Sequence, residues 1–290
     1  GIYLFISLRE RTLRREKEHL EQKVEERTAE VVSKSLALEE KNRDTTASIR
    51  YAERIQAAML PPENFFNDTF VLFMPRDIVS GDFYWMHDSG FKQYIAAVDC
   101  TGHGVPGAFM SIIGHNSLNK IVRESGITKP SDILDHLNIE VVHALLQRSE
   151  KAVRDGMDIS VISYDILEHT VEYAGAYQPL YHVRDGKVTI YRGDRFPIGM
   201  IDGQARKSFT NNRVEVKPGD MLYIFTDGFA DQFGGEHEKK FKTINIRSLL
   251  AEIHMLPVEV QKRRLENAIR EWMGGLAQVD DILFIGTRVP

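Results

Sequence analysis

Four aspartates stand at the ends of apolar runs, each beside a glycine or a second acid. They are Asp82 in Ser-Gly-Asp, Asp99 before Cys-Thr-Gly-His-Gly, Asp227 in Thr-Asp-Gly, and Asp280 in Asp-Asp. Two carboxylates about 4 Å apart repel each other by roughly 4 kcal/mol at an effective dielectric constant near 20. Hard divalent cations with oxygen ligands suit such a group. The repeated pattern therefore favours a shared metal centre, although Asp-Gly pairs taken singly are most often turn caps.

The composition is that of an ordinary globular protein and narrows the possible functions. The chain has 290 residues, 42% of them hydrophobic and 27% charged. Its net charge of -5 gives no drive toward polyanions, so no nucleic-acid partner is expected. Cys100 is the only cysteine, which excludes an intrachain disulfide and fits a reducing, cytoplasmic compartment. A nucleophilic role for this thiol is disfavoured, because no catalytic His and Asn or Asp arrangement accompanies it.

The chain starts with an apolar stretch, residues 2–8, that is followed by several arginines. This stretch is too short to span a bilayer, which takes about 20 residues. An apolar end followed by arginines is nevertheless typical of a transmembrane helix leaving the cytoplasmic face. One interpretation is a cytoplasmic domain of a membrane-anchored protein with an upstream sensor embedded in the membrane. The start of an amphipathic helix is the equally supported alternative.

Residues 12–60 contain no proline or glycine, which predicts one long helix or two abutting ones. Leucine and valine recur at a and d heptad positions, which would form the contact between two helices. Basic residues occupy other a and d positions and weaken that contact. The apolar members are Leu13, Leu20, Val24, Val31 and Leu38, and the basic ones are Lys17, Arg27, Lys34 and Lys41. We expect a parallel homodimer through these helices, with a solvated surface helix as the alternative.

A second apolar stripe follows, formed by Ile49, Ala52, Ile55 or Gln56, and Met59, and Pro61-Pro62 ends it. The predicted domains are therefore a membrane-proximal stub and linker helix (1–44), a regulatory helix (45–62) and a catalytic domain (63–290).

The remaining pattern predicts an α+β domain of packed layers. Strands are expected at 69–74, 82–87, 91–98, 159–164, 170–173, 180–183, 188–191, 221–225 and 281–288, and helices at 106–124, at 131–148 with Ser131 as its cap, and at 257–272.

The motifs, taken in order, resemble those of the SpoIIE-type protein serine/threonine phosphatases of the PPM superfamily, over residues 48–289. The matching strings are SIRYAERIQ (48–56), SGDFY (80–84), DCTGHG (99–104), AGAYQPL (174–180), FPIG (196–199), FTDGFADQ (225–232) and DD (280–281). The resemblance implies an α-β-β-α sandwich, two antiparallel sheets flanked by helices, with two Mn²⁺ or Mg²⁺ ions bound between the sheets.

Carried over by position, Asp82, Asp99, Asp227 and Asp280 match the family's metal-binding carboxylates, and Cys100 lends its backbone carbonyl. Further acids are left open. Asp281 either orients Asp280 or faces solvent, Asp231 holds a third metal or a substrate group or is a surface acid, and Asp158 is an accessory position.

The implied chemistry is attack of a metal-activated water on phosphorus, in line with the leaving serine or threonine oxygen. That oxygen must collect a proton. His103 is one possible donor, but a shaping or capping role is at least as well supported, and a metal-bound water is another donor. Residues 234–241 form either a mobile lid over the substrate or a plain solvated loop.

The predicted function is dephosphorylation of phosphoserine or phosphothreonine on a signalling protein, such as an anti-sigma-factor antagonist, under control of the helix at 45–60. The alternative is a catalytically silent, dimeric binding module of the same fold. Retention of all four acids argues against it. A kinase-like nucleotide site is excluded, because no glycine-rich phosphate loop with its lysine is present.

Overall fold

The structure is a computed structural model that describes residues 2–146, 155–199 and 208–290. The chain divides into two compact units, residues 1–51 and residues 52–290. In the described part of the chain, no helix combines the length and the apolar character needed to cross a bilayer.

Helix α1 (Ile2–Met59) runs through both units. Its residues up to Tyr51 belong to the first unit, and its residues from Ala52 onward belong to the second. The predicted long helix is confirmed. Glu30 pairs along the helix with Arg27 at 2.6 Å and with Lys34 at 2.8 Å, spacings that support an isolated helix. The apolar heptad residues are all more than half exposed: Leu13, Leu20, Val24, Val31 and Leu38.

Two five-stranded antiparallel sheets form the centre of the second unit. The first sheet has the order β1-β12-β9-β6-β7, with β1 (Thr69–Met74), β12 (Ile282–Arg288), β9 (Met221–Phe225), β6 (Leu180–Arg184) and β7 (Lys187–Tyr191). The second has the order β2-β3-β4-β5-β8, with β2 (Phe83–Asp88), β3 (Lys92–Cys100), β4 (Met157–Asp165), β5 (Thr170–Ala176) and β8 (Asn212–Val214).

Helices cover the outer face of each sheet. Helix α2 (Gly104–Asn119), continued by a π-helical turn (Lys120–Glu124), and α3 (Pro130–Leu146) bury apolar side chains against the second sheet. Helices α5 (Lys242–Ile253) and α6 (Val258–Met273) do the same on the first sheet. A third apolar cluster, which includes Val71, Tyr84 and Leu283, lies between the sheets. The predicted α-β-β-α sandwich is confirmed.

Most predicted elements are present with ends displaced by a few residues, one detail is wrong, and several elements were missed. Helix α3 begins at Pro130, so Ser131 lies inside it and donates its hydroxyl to Asp132 Oδ1 instead of capping the helix. The predicted end of this helix at Arg148 lies outside the described residues. The missed elements are β8, α4 (Gly228–Asp231), the hairpin of β10 (Phe233–Gly234) with β11 (Lys239–Lys240), and α5.

Candidate metal centre

One edge of the sandwich collects the four predicted metal-binding aspartates. Phe83 at the start of β2 pairs with Val98 near the end of β3, which places Asp82 and Asp99 together. In the other sheet, Phe284 of β12 pairs with Phe225 at the end of β9. Asp227 follows the end of β9, and Asp280 precedes the start of β12, so both lie at the same end of this strand pair. Antiparallel register alone brings each pair of acids to this edge.

Asp82 is the most enclosed of these acids. Its side chain is 3% exposed, and its Oδ2 is buried without a hydrogen-bond partner among the described residues. Burial raises the pKa of Asp82 well above its usual range, and the charge of Asp99 raises it further. A buried carboxylate oxygen without a partner is costly, so this position calls for a cation or a proton.

The neighbouring acids act on one another in the same direction. The pKa of Asp99 is raised well above its usual range by burial and then by the charges of Asp227, Asp158 and Asp280. The pKa of Asp227 is raised by partial burial and then by Asp280. Burial and Asp227 raise the pKa of Asp158, which pairs with Asp99 across β3 and β4, to about 6. The predicted ligands thus share one field of negative charge.

The two adjacent acids at the start of β12 have different surroundings. Asp281 is buried, and its carboxylate accepts the backbone N–H of Arg76 at 2.7 Å and of Gly81 at 2.8 Å. It therefore holds the loop before β2, which carries Asp82, onto the first sheet. Asp280 is exposed. Of the two roles left open for Asp281, facing solvent is wrong, because its carboxylate is fully used inside the protein.

Glycines let three backbone segments touch beneath the acids. A Cβ on Gly81 would lie 2.5 Å from the carbonyl oxygen of Gly102, and one on Gly107 would lie 2.8 Å from the Cα of Gly81. Real Cβ atoms do not approach so closely, so both positions require glycine. The loop before β2, the loop after β3 and the first turns of α2 are consequently in direct contact.

Cys100 ends β3 directly after Asp99, and its thiol is buried. Burial raises the pKa of this thiol well above its usual range, and the charges of Asp82 and Asp99 add to the effect. A thiol held in its protonated form is a poor nucleophile. The next residue, Thr101, fixes the loop, because its hydroxyl donates to the carbonyl of Gly156 at 2.7 Å.

His103 lies at the start of α2, where its side chain makes no capping hydrogen bond. Its Nδ1 is instead 3.0 Å from Asp77 Oδ2, and both side chains are about half exposed. The capping role considered for His103 is therefore wrong. The Asp77 carboxylate instead orients the imidazole of His103, which lies between β3 and α2.

Asp231 ends the short helix α4, four residues after Asp227. Its Oδ2 accepts a hydrogen bond from Lys240 Nζ at 2.7 Å. Lys240 comes from β11, so the segment expected to be a lid or a solvated loop contains a paired hairpin. The positive charge of Lys240 also opposes the rise in the pKa of Asp227. Asp231 is a paired acid.

The sequence reasoning did not single out Gln56 as a functional residue. Its side chain is 6% exposed, whereas the neighbouring Ile55 is 44% exposed. Gln56 Nε2 donates to the carbonyl of Ser80 at 2.6 Å and to Ser111 Oγ at 2.8 Å, and Oε1 accepts the N–H of Ser80 at 3.0 Å. The signals in the sequence were its place on the second stripe of the N-terminal helix and at the end of the matching string SIRYAERIQ (48–56).

The donor set suits two hard divalent cations. Within the described ranges, no three acidic, histidine or cysteine side chains form a metal-ligand group as they stand. The edge nevertheless offers carboxylate oxygens at high density, including the buried Asp82 Oδ2 without a partner. Oxygen ligands of this kind are those that Mn²⁺ and Mg²⁺ prefer.

Comparisons with known proteins agree with this architecture. The family described as Stage II sporulation protein E (SpoIIE) matches residues 89–290. The SiaA-PP2C domain of Pseudomonas aeruginosa is 30% identical with a TM-score of 0.78, over 86% of this chain and 98% of that one. No curated protein sequence matches the chain.

Two more distant structures share the fold. The PP2C phosphatase domain of SpoIIE from Bacillus subtilis, with a fragment of its regulatory domain, is 21% identical with a TM-score of 0.61, over 76% of this chain and 62% of that one. The RsbU and RsbW domains of a Mycobacterium tuberculosis protein are 18% identical with a TM-score of 0.60, over 77% and 60% of the two chains.

Proposed function

The chain belongs to the SpoIIE family of PPM-type protein phosphatases, and we propose that it hydrolyses phosphoserine or phosphothreonine on a signalling protein in a metal-dependent reaction. The observation that carries the proposal is the shared edge of acids, where burial and neighbouring charges raise the pKa of Asp82, Asp99 and Asp227. Concentrated negative charge is unfavourable in a pure binding module and useful in a site that takes up cations.

Two cations, Mn²⁺ or Mg²⁺, would be held by Asp82, Asp99, Asp227 and Asp280 with the carbonyl of Cys100. When bound, they supply charge neutralisation and activation of a water for attack on phosphorus. The protein's own contribution is placement. Asp281 holds the loop that carries Asp82, and the strand register supports the placement of the other proposed ligands. The buried, protonated Cys100 thiol takes no part as a nucleophile.

The leaving serine or threonine oxygen must collect a proton, and His103 is the proposed donor. The Asp77 carboxylate at Nδ1 orients the ring, which leaves Nε2 to serve as the proton-donating atom. If His103 donates, His103→Gln lowers kcat and removes a pH-dependent limb of the rate profile. An unchanged profile in that variant would assign the proton to water.

The proposed substrate is a phosphorylated signalling protein of the anti-sigma-factor antagonist kind. The match to a protein that combines RsbU and RsbW domains supports this class. The proposed assembly is a homodimer formed through the exposed apolar residues of α1. A cytoplasmic location next to a membrane-embedded sensor is also proposed, from the pattern of apolar residues 2–8 followed by arginines.

Regulation is proposed to act through the end of the N-terminal helix. Gln56 holds both backbone polar groups of Ser80, which lies two residues before Asp82. Movement of Gln56 would therefore move a metal ligand. A signal that favours one position of this helix would shift the balance between two states of the site.

The test is Mn²⁺-dependent dephosphorylation of a phosphoserine protein by the wild type, Asp99→Ala and Asp227→Ala, with the exposed Glu168→Ala as a matched control. We expect turnover that depends on added Mn²⁺, loss of at least a hundredfold in both aspartate variants, and no change in the control. Turnover that survives both aspartate substitutions would overturn the metal-site assignment. Absence of turnover in the wild type with Mn²⁺ bound would favour the silent binding module.

A further inference from the structure

The hairpin β10–β11 is held in place near the edge of the sandwich where Asp227 and Asp280 lie. Phe241, which follows β11, donates its N–H to the carbonyl of Gln232 at 2.9 Å, and Gly235 donates to the carbonyl of Trp272 at 2.9 Å. A Cβ on Gly234 would lie 1.8 Å from that Trp272 oxygen, so the hairpin lies directly on the end of α6. This close packing is the opposite of what a mobile lid needs.

Both ends of the hairpin are tied to the segments that carry the acids. The buried Gln232 accepts the N–H of Val279, the residue before Asp280, on its Oε1 at 3.1 Å. Phe241 packs edge-on against Phe229 of α4, with ring centroids 5.2 Å apart. The position of the hairpin relative to Asp227, Asp231 and Asp280 is therefore set by side-chain packing and hydrogen bonds.

The two lysines of β11 lie on opposite faces, because successive side chains of a strand alternate. Lys240 turns toward the site, where its Nζ is 2.7 Å from Asp231 Oδ2 and its charge reaches Asp227. Lys239 is exposed and makes no ion pair within the described ranges. The hairpin thus presents one ammonium group to the acid edge.

We propose that Lys240 binds a phosphoryl oxygen of the substrate and of the inorganic phosphate product, with Asp231 as the positioning residue that holds its side chain over the site. This inference rests on the proposed phosphatase function. A phosphate monoester dianion approaching this edge meets several carboxylates, and two divalent cations offset most of that charge. An ammonium group held beside Asp231 would attract the phosphate dianion and so offset part of the remaining repulsion from the acids.

The same arrangement gives Asp231 a role other than metal binding, unlike the four aspartates at the edge. Its carboxylate is already paired with a cation of the protein, as an ionic partner that orients Lys240. Loss of the Asp231 carboxylate would leave the lysine charged but free to rotate. Asp231→Asn is therefore expected to reproduce part of the Lys240 defect.

The experiment measures two affinities on the full chain, that of Mn²⁺ and that of inorganic phosphate to the Mn²⁺-loaded protein, by calorimetry. The variants are Lys240→Gln, Lys240→Arg and the matched control Lys239→Gln. We expect phosphate binding to weaken roughly tenfold in Lys240→Gln, to recover largely in Lys240→Arg, and to stay unchanged in Lys239→Gln. The affinity for Mn²⁺ should stay equal or rise in Lys240→Gln, because a nearby positive charge is removed.

Phosphate affinity unchanged in Lys240→Gln would overturn the inference, even when the wild type is an active phosphatase. A parallel fall in Mn²⁺ affinity would also overturn it, since the lysine would then be supporting the metal ligands. If the wild type shows no turnover, the proposed function fails by itself. A selective loss of phosphate binding in Lys240→Gln would then still establish the phosphate-binding role.

Discussion

The side-chain amide of Gln56 forms two hydrogen bonds to the backbone of Ser80: its Nε2 donates to the Ser80 carbonyl at 2.6 Å, and its Oε1 accepts the Ser80 N–H at 3.0 Å. The arrangement replaces the pairing that a neighbouring strand would supply. Because both groups of Ser80 are buried, they have no access to water when Gln56 is withdrawn. The loop leading to Asp82 therefore depends on a residue outside either sheet.

Replacement of Gln56 by leucine keeps the size of the side chain and removes all three of its hydrogen bonds. We expect the free energy of unfolding to fall by about 1–3 kcal/mol, because buried polar groups of Ser80 lose their partners. The Mn²⁺ concentration for half-maximal activity should rise, since the position of Asp82 is less fixed. Urea unfolding and an Mn²⁺ titration of activity measure the two effects.

Arg54→Leu is the control, because Arg54 is exposed on the same helix and receives the same new side chain. An equal change in both variants would show that leucine on this helix, and not the lost amide, is responsible.

Asp280 and Asp281 should separate metal binding from stability. Asp280→Asn is expected to weaken Mn²⁺ binding and abolish turnover while leaving the unfolding free energy unchanged or slightly higher, because one repelling charge is removed. Asp281→Asn should lower the unfolding free energy by about 2 kcal/mol. The two backbone N–H groups are bound by two carboxylate oxygens, and an amide has only one oxygen to accept them. Calorimetric Mn²⁺ binding and urea unfolding distinguish them. The reverse pattern would exchange the roles that we give to these two acids.

Asp220 provides a pH-dependent contribution to stability away from the metal edge. Burial by itself would raise its pKa, but hydrogen bonds from Arg184, the N–H of Lys217 and His182 outweigh this and hold the pKa below its usual range. A carboxyl whose pKa is depressed in the folded state stabilises the protein above its ordinary pKa. That stabilisation is lost as the pH falls through the folded-state pKa.

We therefore expect Asp220→Asn to destabilise the protein by about 3 kcal/mol near neutral pH, because Arg184 and His182 lose a buried partner. The difference between wild type and variant should shrink as the pH drops below the ordinary carboxyl range. Urea unfolding at several pH values measures it. A difference that stays constant with pH would mean that the carboxylate charge is not the source.

The exposed apolar residues of α1 predict self-association. Val24→Glu combined with Val31→Glu places repelling charges in the proposed seam and should convert a dimer to a monomer in analytical ultracentrifugation. The double variant should keep the helix content of the wild type. Glu26→Ala, outside that heptad stripe, serves as the control. A wild type that sediments as a monomer would contradict the proposed assembly.

The sequence predicted the strands at the edge and the acids at the ends of those strands, because alternation and turn residues are local signals. The roles that depend on distant contacts were not predictable in this way. Ile55 and Gln56 were equivalent on the helical stripe, and only packing shows that Gln56 is buried while Ile55 is exposed. Helix α5 was missed because its polar sequence buries only Ile246, Leu250 and Ile253. The contact of Lys240 with Asp231 could not be predicted, because it depends on the hairpin of β10 and β11.

Strand β12 pairs with the first strand of its sheet, and Asp281 just before it holds Arg76 and Gly81, which lie 205 and 200 positions earlier. During synthesis on the ribosome, these contacts can form only after residue 281 has emerged. A nascent domain without residues 280–288 lacks Asp280, the Asp281 carboxylate that holds the Asp82 loop, and the strand between β1 and β9. The edge of acids is consequently incomplete until the last strand of the fold has been made.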